Sequence, residues 1–126
     1  MRYRLTDNEW CILETLWDAG PMALGPLLGA LRQGAETPLS GWSRTTLHTY
    51  LTRMAAKGMI CMDDGYPRRY AAVWDRQSCA DAQRRALVER VYRGSAGMLV
   101  AAFVRDGSLS GAERAQLRRL LDDMEV

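Results

Sequence analysis

Residues 43–58 constrain the fold more than any other segment. Ser43 is a strong helix N-cap, and Leu47, Tyr50, Leu51 and Met54 then recur at helical spacing. Lys57 sits in the last turn, and Gly58 follows as the residue that ends the helix. At ~100° per residue, the side opposite this apolar stripe carries Thr45, His48, Thr49 and Thr52, with Arg44 and Arg53 on its flanks. Such a helix must bury one side against a core while its other side presents short polar groups to whatever lies outside.

Upstream, Thr6 and Glu9 form a capping box ahead of an apolar-periodic run, Trp10, Leu13, Leu16 and Trp17, which Gly20-Pro21 terminates. A second helix starts near Leu24, with Leu24, Leu27, Leu28 and Leu31 on one face and Pro26 in its first turn. Gly34 to Gly41 reads as a polar connection. Downstream, Met59–Met62 and Arg69–Val73 read as two short strands around the turn-rich Asp63-Asp64-Gly65-Tyr66-Pro67. They form a hairpin with Arg68 and Arg69 near its tip. From Asp75 the pattern is helical: roughly Ser78–Tyr92, a second helix to about Arg105, and a third opened by the capping box Ser110/Glu113. The fold class expected is therefore mostly α with a small β-hairpin. Residues 1–74 form a winged helix-turn-helix domain and residues 75–126 a helical domain.

Composition narrows the function classes. Of 126 residues, 48% are apolar and 25% charged, as in an ordinary globular chain, and no apolar run approaches the ~18 residues of a membrane span. The start of the chain lacks the apolar core of a signal peptide, so a cytoplasmic location without membrane insertion is expected. Cys11, Cys61 and Cys79 are widely spaced and His48 is the only histidine, so no metal site and no cofactor are expected. The thiols are expected to act as buried or half-buried small hydrophobes. A single histidine, no paired carboxylates at cleft spacing and no Gly-rich phosphate loop argue against an enzyme.

The net charge of +2 says little, but its distribution says more. Residues 41–70 carry Arg44, Arg53, Lys57, Arg68 and Arg69 against only Asp63 and Asp64. The local positive excess thus falls on the helix and hairpin that suit a duplex. A major groove about 12 Å wide admits one α-helix, and threonines and an imidazole are short enough to bring its backbone close to base edges. Ser43 and the helix N-terminus offer donors to phosphate, Arg53 and Lys57 offer charge, and Arg68 and Arg69 give the hairpin a reach to the backbone or minor groove. The apolar stripes after residue 75 (Leu87, Val88 and Val91; Met98, Leu99, Ala102 and Phe103; Leu117, Leu120, Leu121 and Met124) are more than a monomer tolerates exposed. A two-fold homodimer buries them.

The stretch Trp42-Ser43-Arg44-Thr45-Thr46-Leu47-His48-Thr49-Tyr50-Leu51-Thr52-Arg53-Met54, with Lys57-Gly58, resembles the recognition-helix motif of the penicillinase and methicillin-resistance repressors. Leu5-Thr6, Glu9-Trp10 and Leu16-Trp17 resemble that family's first helix. Tyr92-Arg93-Gly94-Ser95 with Leu99-Val100-Ala101-Ala102-Phe103 resembles its C-terminal region. The resemblance spans roughly residues 4–124. It implies a homodimeric transcriptional repressor of inverted-repeat operator DNA that controls antibiotic-resistance or stress genes. Carried over by position, it implies Ser43, Arg44, Thr45, Thr46, His48, Thr49 and Arg53 as DNA contacts, with Arg68 and Arg69 in the wing. It also implies a membrane sensor protease as a partner and a cleavage region at Ala102-Phe103, where inducible family members have Asn-Phe. Where many relatives have Pro, this chain has Arg44. The copper-responsive branch carries a C-terminal cysteine cluster, and this chain has no cysteine after Cys79. A winged helix used for protein contact and a metal-responsive repressor remain the alternative readings.

Overall fold

The computed structural model describes residues 3–33 and 39–124. The element order is α1 (Asp7–Ala19), β1 (Met22–Ala23), α2 (Leu24–Gln33), α3 (Arg44–Ala56), β2 (Ile60–Met62), β3 (Arg69–Ala72), α4 (Arg76–Tyr92), α5 (Ala96–Arg105) and α6 (Gly111–Asp123). Three helices and a wing, followed by further helices, give the winged-helix order expected from the sequence. The expected connection at Gly34–Gly41 falls largely outside the described residues. The chain divides into two compact units, Met1–Gln83 and Arg84–Val126.

In the first unit the helix ends follow their local chemistry. Thr6 caps α1: its Oγ1 accepts from the Glu9 N–H at 3.2 Å, and Glu9 Oε1 accepts from the Thr6 N–H at 2.9 Å. Ile12, Leu13 and Leu16 from α1 meet Leu27, Leu28 and Leu31 from α2 and Leu47, Leu51 and Met54 from α3 in one core. Leu39, Met59, Ile60, Tyr70, Trp74 and Cys79 complete it. Trp17 fixes the far side of this core, its indole N–H donating to the Trp74 carbonyl at 2.8 Å.

The sheet differs from the expected two-stranded hairpin. It has three antiparallel strands in the order β1-β3-β2. Met22 and Ala23 pair with Tyr70 and Arg69, while Ile60, Cys61 and Met62 pair with Ala72, Ala71 and Tyr70. The added strand is two residues long, too short to show alternation in a sequence. It arises where the chain leaves Gly20 and runs beside β3, and it ties the start of α2 to the wing.

The cysteines depart in part from the expected burial. Cys79 is fully buried, and burial, reinforced by the charge of Asp75, pushes its thiol up to about 11. Cys11 is half-buried, and its thiol is likewise raised, chiefly by desolvation. Cys61 is exposed, because strand alternation turns it outward beside the buried Ile60. Alkylation of the native protein near pH 8, mapped by peptide mass spectrometry, is therefore expected to modify Cys61 first and Cys79 only after unfolding. Equal labelling rates for the two would contradict this burial.

In the second unit, α5 is capped by Ser95 and α6 by the Ser110/Glu113 capping box expected from the sequence. No described residue from Arg84 onward is buried. Leu87, Val91, Met98, Val100, Phe103, Val104, Leu120, Leu121 and Met124 are exposed large apolar side chains.

Candidate nucleic-acid interface

The seat of α3 is built from both ends. At its start Ser43 is extended (φ −88°, ψ 168°), and its Oγ accepts from the Thr46 N–H at 3.1 Å. The preceding residue is held from α2, where both Arg32 Nε, at 2.9 Å, and Arg32 Nη2 donate to the Trp42 carbonyl. The Trp42 ring lies 4.4 Å from that of Tyr50, and the Tyr50 hydroxyl accepts from Asn8 Nδ2 at 3.2 Å. At the other end Gly58 adopts φ +79°, the left-handed conformation that an L side chain rarely takes. Its N–H donates to the Ala55 carbonyl at 3.0 Å, and the Met59 N–H reaches back to the Met54 carbonyl at 3.0 Å. These are the paired bonds of a glycine helix terminus, and the buried Met54 and Met59 make its accompanying apolar contact.

Lys57 Nζ lies 3.4 Å from Glu9 Oε2. The Glu9 carboxylate is buried and satisfied on both oxygens, by the Thr6 N–H and by Lys57. The Lys57 side chain is 61% exposed, so solvent screens the pair, and its worth is at most roughly 1 kcal/mol. It still ties the end of α3 to the start of α1. The charge that sequence reasoning offered to phosphate is thus already engaged with a carboxylate.

With Leu47, Leu51 and Met54 fully buried, the opposite side of α3 faces out. Arg44, Thr45, His48, Thr49, Thr52 and Arg53 are all exposed. Thr49 and Thr52 turn their hydroxyls onto their own helix: Thr49 Oγ1 donates to the Thr45 carbonyl at 3.0 Å, and Thr52 Oγ1 to the His48 carbonyl at 2.9 Å. Thr46 is half-buried on the flank, its Oγ1 3.1 Å from Ser43 Oγ. The Arg44 guanidinium lies along α2, with Nη1 3.5 Å from where a Cβ on Gly25 would stand.

The wing is stapled by one carboxylate. Asp63 Oδ1 accepts from the Arg69 N–H at 2.9 Å and the Gly65 N–H at 3.0 Å, and Oδ2 accepts from Arg69 Nε at 3.0 Å. These bonds, the Arg69 N–H first, hold the Asp63 carboxyl below the usual carboxylate range. Arg69 is thereby committed within the wing. Arg68 reaches only the Met62 sulfur, at 3.8 Å, and Tyr66 at the turn is fully exposed. The geometry thus gathers Thr45, His48, Thr49 and Arg53 on one exposed face. It places Ser43, Arg44 and Thr46 at the entry of that helix, and it puts Arg68 and Arg69 on a separate hairpin of the same unit.

The family model described as "Penicillinase repressor" matches residues 5–123. The chain belongs to the penicillinase repressor family. This is a family of transcriptional repressors, and the match runs through both compact units. The methicillin resistance regulatory proteins MecI of Mammaliicoccus sciuri and of Staphylococcus aureus strain N315 are each 23% identical to it over 121 residues, covering 95% of this chain and 94% of theirs. The penicillinase repressor of Bacillus licheniformis is 22% identical over 121 residues, covering 95% and 91%.

In this penicillinase repressor family member, Ala102 and Phe103 lie in the last turn of α5, just ahead of the C-cap Asp106. The Ala102 carbonyl accepts from the Asp106 N–H at 3.1 Å, so the bond between the two residues sits inside hydrogen-bonded helix, although the Phe103 ring is exposed. No helix among the described residues is long and apolar enough to cross a membrane, and no three potential metal ligands come together among them. Arg32 and Asn8 carried no signal in the sequence. Each acts on α3 through a contact 10 or 42 residues away.

Proposed function

We propose that the chain represses transcription by binding an inverted-repeat operator as a homodimer, with α3 in the major groove and the β2–β3 wing beside the backbone. One observation carries this reading: a helix whose inner side is fully buried leaves a continuous row of short polar side chains, Thr45, His48, Thr49 and Thr52, exposed on its outer side. Short side chains let the helix axis come close enough for base edges to be read, and the exposed Arg53 offers charge to a phosphate. The Ser43 cap leaves the first N–H groups of α3 at an end where anions are favoured.

The second unit supports the dimer. A unit with no buried residue and nine exposed large apolar side chains among its described residues needs another surface to cover it. A second copy does so with two-fold symmetry and sets two recognition helices ~34–36 Å apart, one turn of DNA. Repression is then steric, and relief follows from any event that separates the copies. The relatives' names point to antibiotic-resistance genes as the controlled set. Were a sensor protease to cut between Ala102 and Phe103, α5 would first have to open there.

The test is a gel shift on the chain's own promoter and on random duplex at several salt concentrations. Thr45→Ala and His48→Ala are each expected to lose ~1–3 kcal/mol on the promoter and much less on random DNA. Arg53→Ala and Arg68→Ala are expected to weaken both and to reduce the salt slope by about one. Equal losses of Thr45→Ala and His48→Ala on both duplexes would remove base reading from α3. Absence of any shift would remove the DNA role.

A further inference from the structure

The outward row on α3 is not chemically uniform. A threonine hydroxyl has one proton to give. Thr49 gives its proton to the Thr45 carbonyl at 3.0 Å, and Thr52 to the His48 carbonyl at 2.9 Å. Base-edge acceptors in the major groove, N7 and O6 of guanine, N7 of adenine and O4 of thymine, all demand a donor. Thr49 and Thr52 have none to spare. Redirecting either hydroxyl to a base exchanges one hydrogen bond for another and gains little. Without rearrangement these two residues present a methyl group each, beside a hydroxyl oxygen that can only accept, on an exposed surface about one helical turn apart; the valine variants below separate the two. Thr45 and His48 differ, because both are exposed and neither side chain is engaged in a hydrogen bond within the helix.

From this division we propose that Thr49 and Thr52 read thymine 5-methyl groups by apolar contact, leaving hydrogen-bonded reading of bases to Thr45 and His48. The half-site then has a chemical polarity. Bases nearer the N-terminal end of α3 are chosen by hydrogen bonding, and bases opposite Thr49 and Thr52, further toward its C-terminal end, by the presence of thymine methyls. Glycine has no methyl to offer at such positions and serine none either, so the β-branched side chain is the feature that matters. This inference rests on the DNA-reading role proposed for α3.

The experiment starts with the full chain and a random duplex pool, from which the preferred half-site is enriched. Each thymine of that half-site is then replaced singly by deoxyuridine, which removes only the methyl. One or two neighbouring replacements are expected to weaken binding by about fourfold each, the weight of one buried methyl-sized group. Thr49→Val and Thr52→Val keep a methyl and lose the hydroxyl; they are expected to bind within about twofold of wild type. Thr49→Ser and Thr52→Ser keep the hydroxyl and lose the methyl; they are expected to lose about fourfold and to become indifferent to the matching deoxyuridine. Far-UV circular dichroism confirms that each variant is folded, and the deoxyuridine series on wild-type protein stands without any variant. The proposal is overturned if every deoxyuridine is silent, or if the valine variants lose affinity while the serine variants keep it. A pool that yields no enriched sequence overturns the DNA-reading role itself, a different result from an enriched half-site that is indifferent to thymine methyls.

Discussion

Leu51→Ala is expected to cost the 1–83 unit about 2–5 kcal/mol, with a fall in melting temperature on the order of 10–30 °C. Leu51 is fully buried at the centre of α3 and belongs to the core that joins α1, α2 and the wing strands. Truncating it removes the transfer free energy of three carbons and leaves a cavity that neighbours held by their own elements fill only in part. All four tryptophans, Trp10, Trp17, Trp42 and Trp74, lie in this unit, so tryptophan fluorescence during urea or thermal unfolding reports on it alone. The counterpart is Thr45→Ala, nearly two turns earlier and on the exposed side of the same helix. Its side chain is exposed, so its stability effect is expected to stay within about 0.5 kcal/mol. The pair separates the two jobs of one helix: one side holds the fold, and the other is spent on what lies outside. A Leu51→Ala variant that melts with wild type would mean α3 is not seated as described.

Much of this was legible in the sequence because its signals are local. The capping boxes at Thr6/Glu9 and Ser110/Glu113, the Ser43 cap and the Gly58 terminus all depend on residues within one helical turn, and each forms as its spacing predicts. The inward and outward sides of α3 follow from periodicity alone. What escaped is held by partners distant in the chain or by rotamer choice. β1 exists only because Met22 and Ala23 run beside Tyr70 and Arg69. Arg32 clamps the Trp42 carbonyl, and Glu9 takes Lys57 from across the unit; no spacing rule points to either. Composition put Arg69 among free cations, but Asp63 holds it in the wing. A helical wheel gives the outward direction of Thr49 and Thr52 but not that their hydroxyls already donate to carbonyls of their own helix. Charge counting therefore overstated how many cations are unengaged, while the periodic pattern put the exposed row of α3 where the structure has it.

Leu121→Glu is expected to leave the chain monomeric and to reduce its affinity for an inverted-repeat operator by a factor of about 10²–10⁴. Leu121 is exposed on α6, with Leu120 and Met124 exposed beside it. On α5 the same holds for Phe103 and Val104, and an open groove of about 290 Å³ is lined by Val88, Leu99 and Val100 together with Arg84, Arg85 and Glu89. If a second copy covers these surfaces, a carboxylate at position 121 is driven into an apolar interface without a partner. Its desolvation costs several kcal/mol, more than most dimers of this size hold in reserve. If solvent is all that covers them, the same substitution is nearly neutral. Operator binding inherits the difference, because one half-site bound alone forfeits the effective concentration that tethers the second. Leu121→Met, which keeps volume and polarity, is expected to stay dimeric and to bind as wild type does. Sedimentation equilibrium and a gel shift on the same samples make the coupling visible: monomer formation and loss of operator binding should appear together. A Leu121→Glu protein that stays dimeric moves the interface off this face of α6. One that becomes monomeric yet binds the operator unchanged removes the dimer from the mechanism of repression.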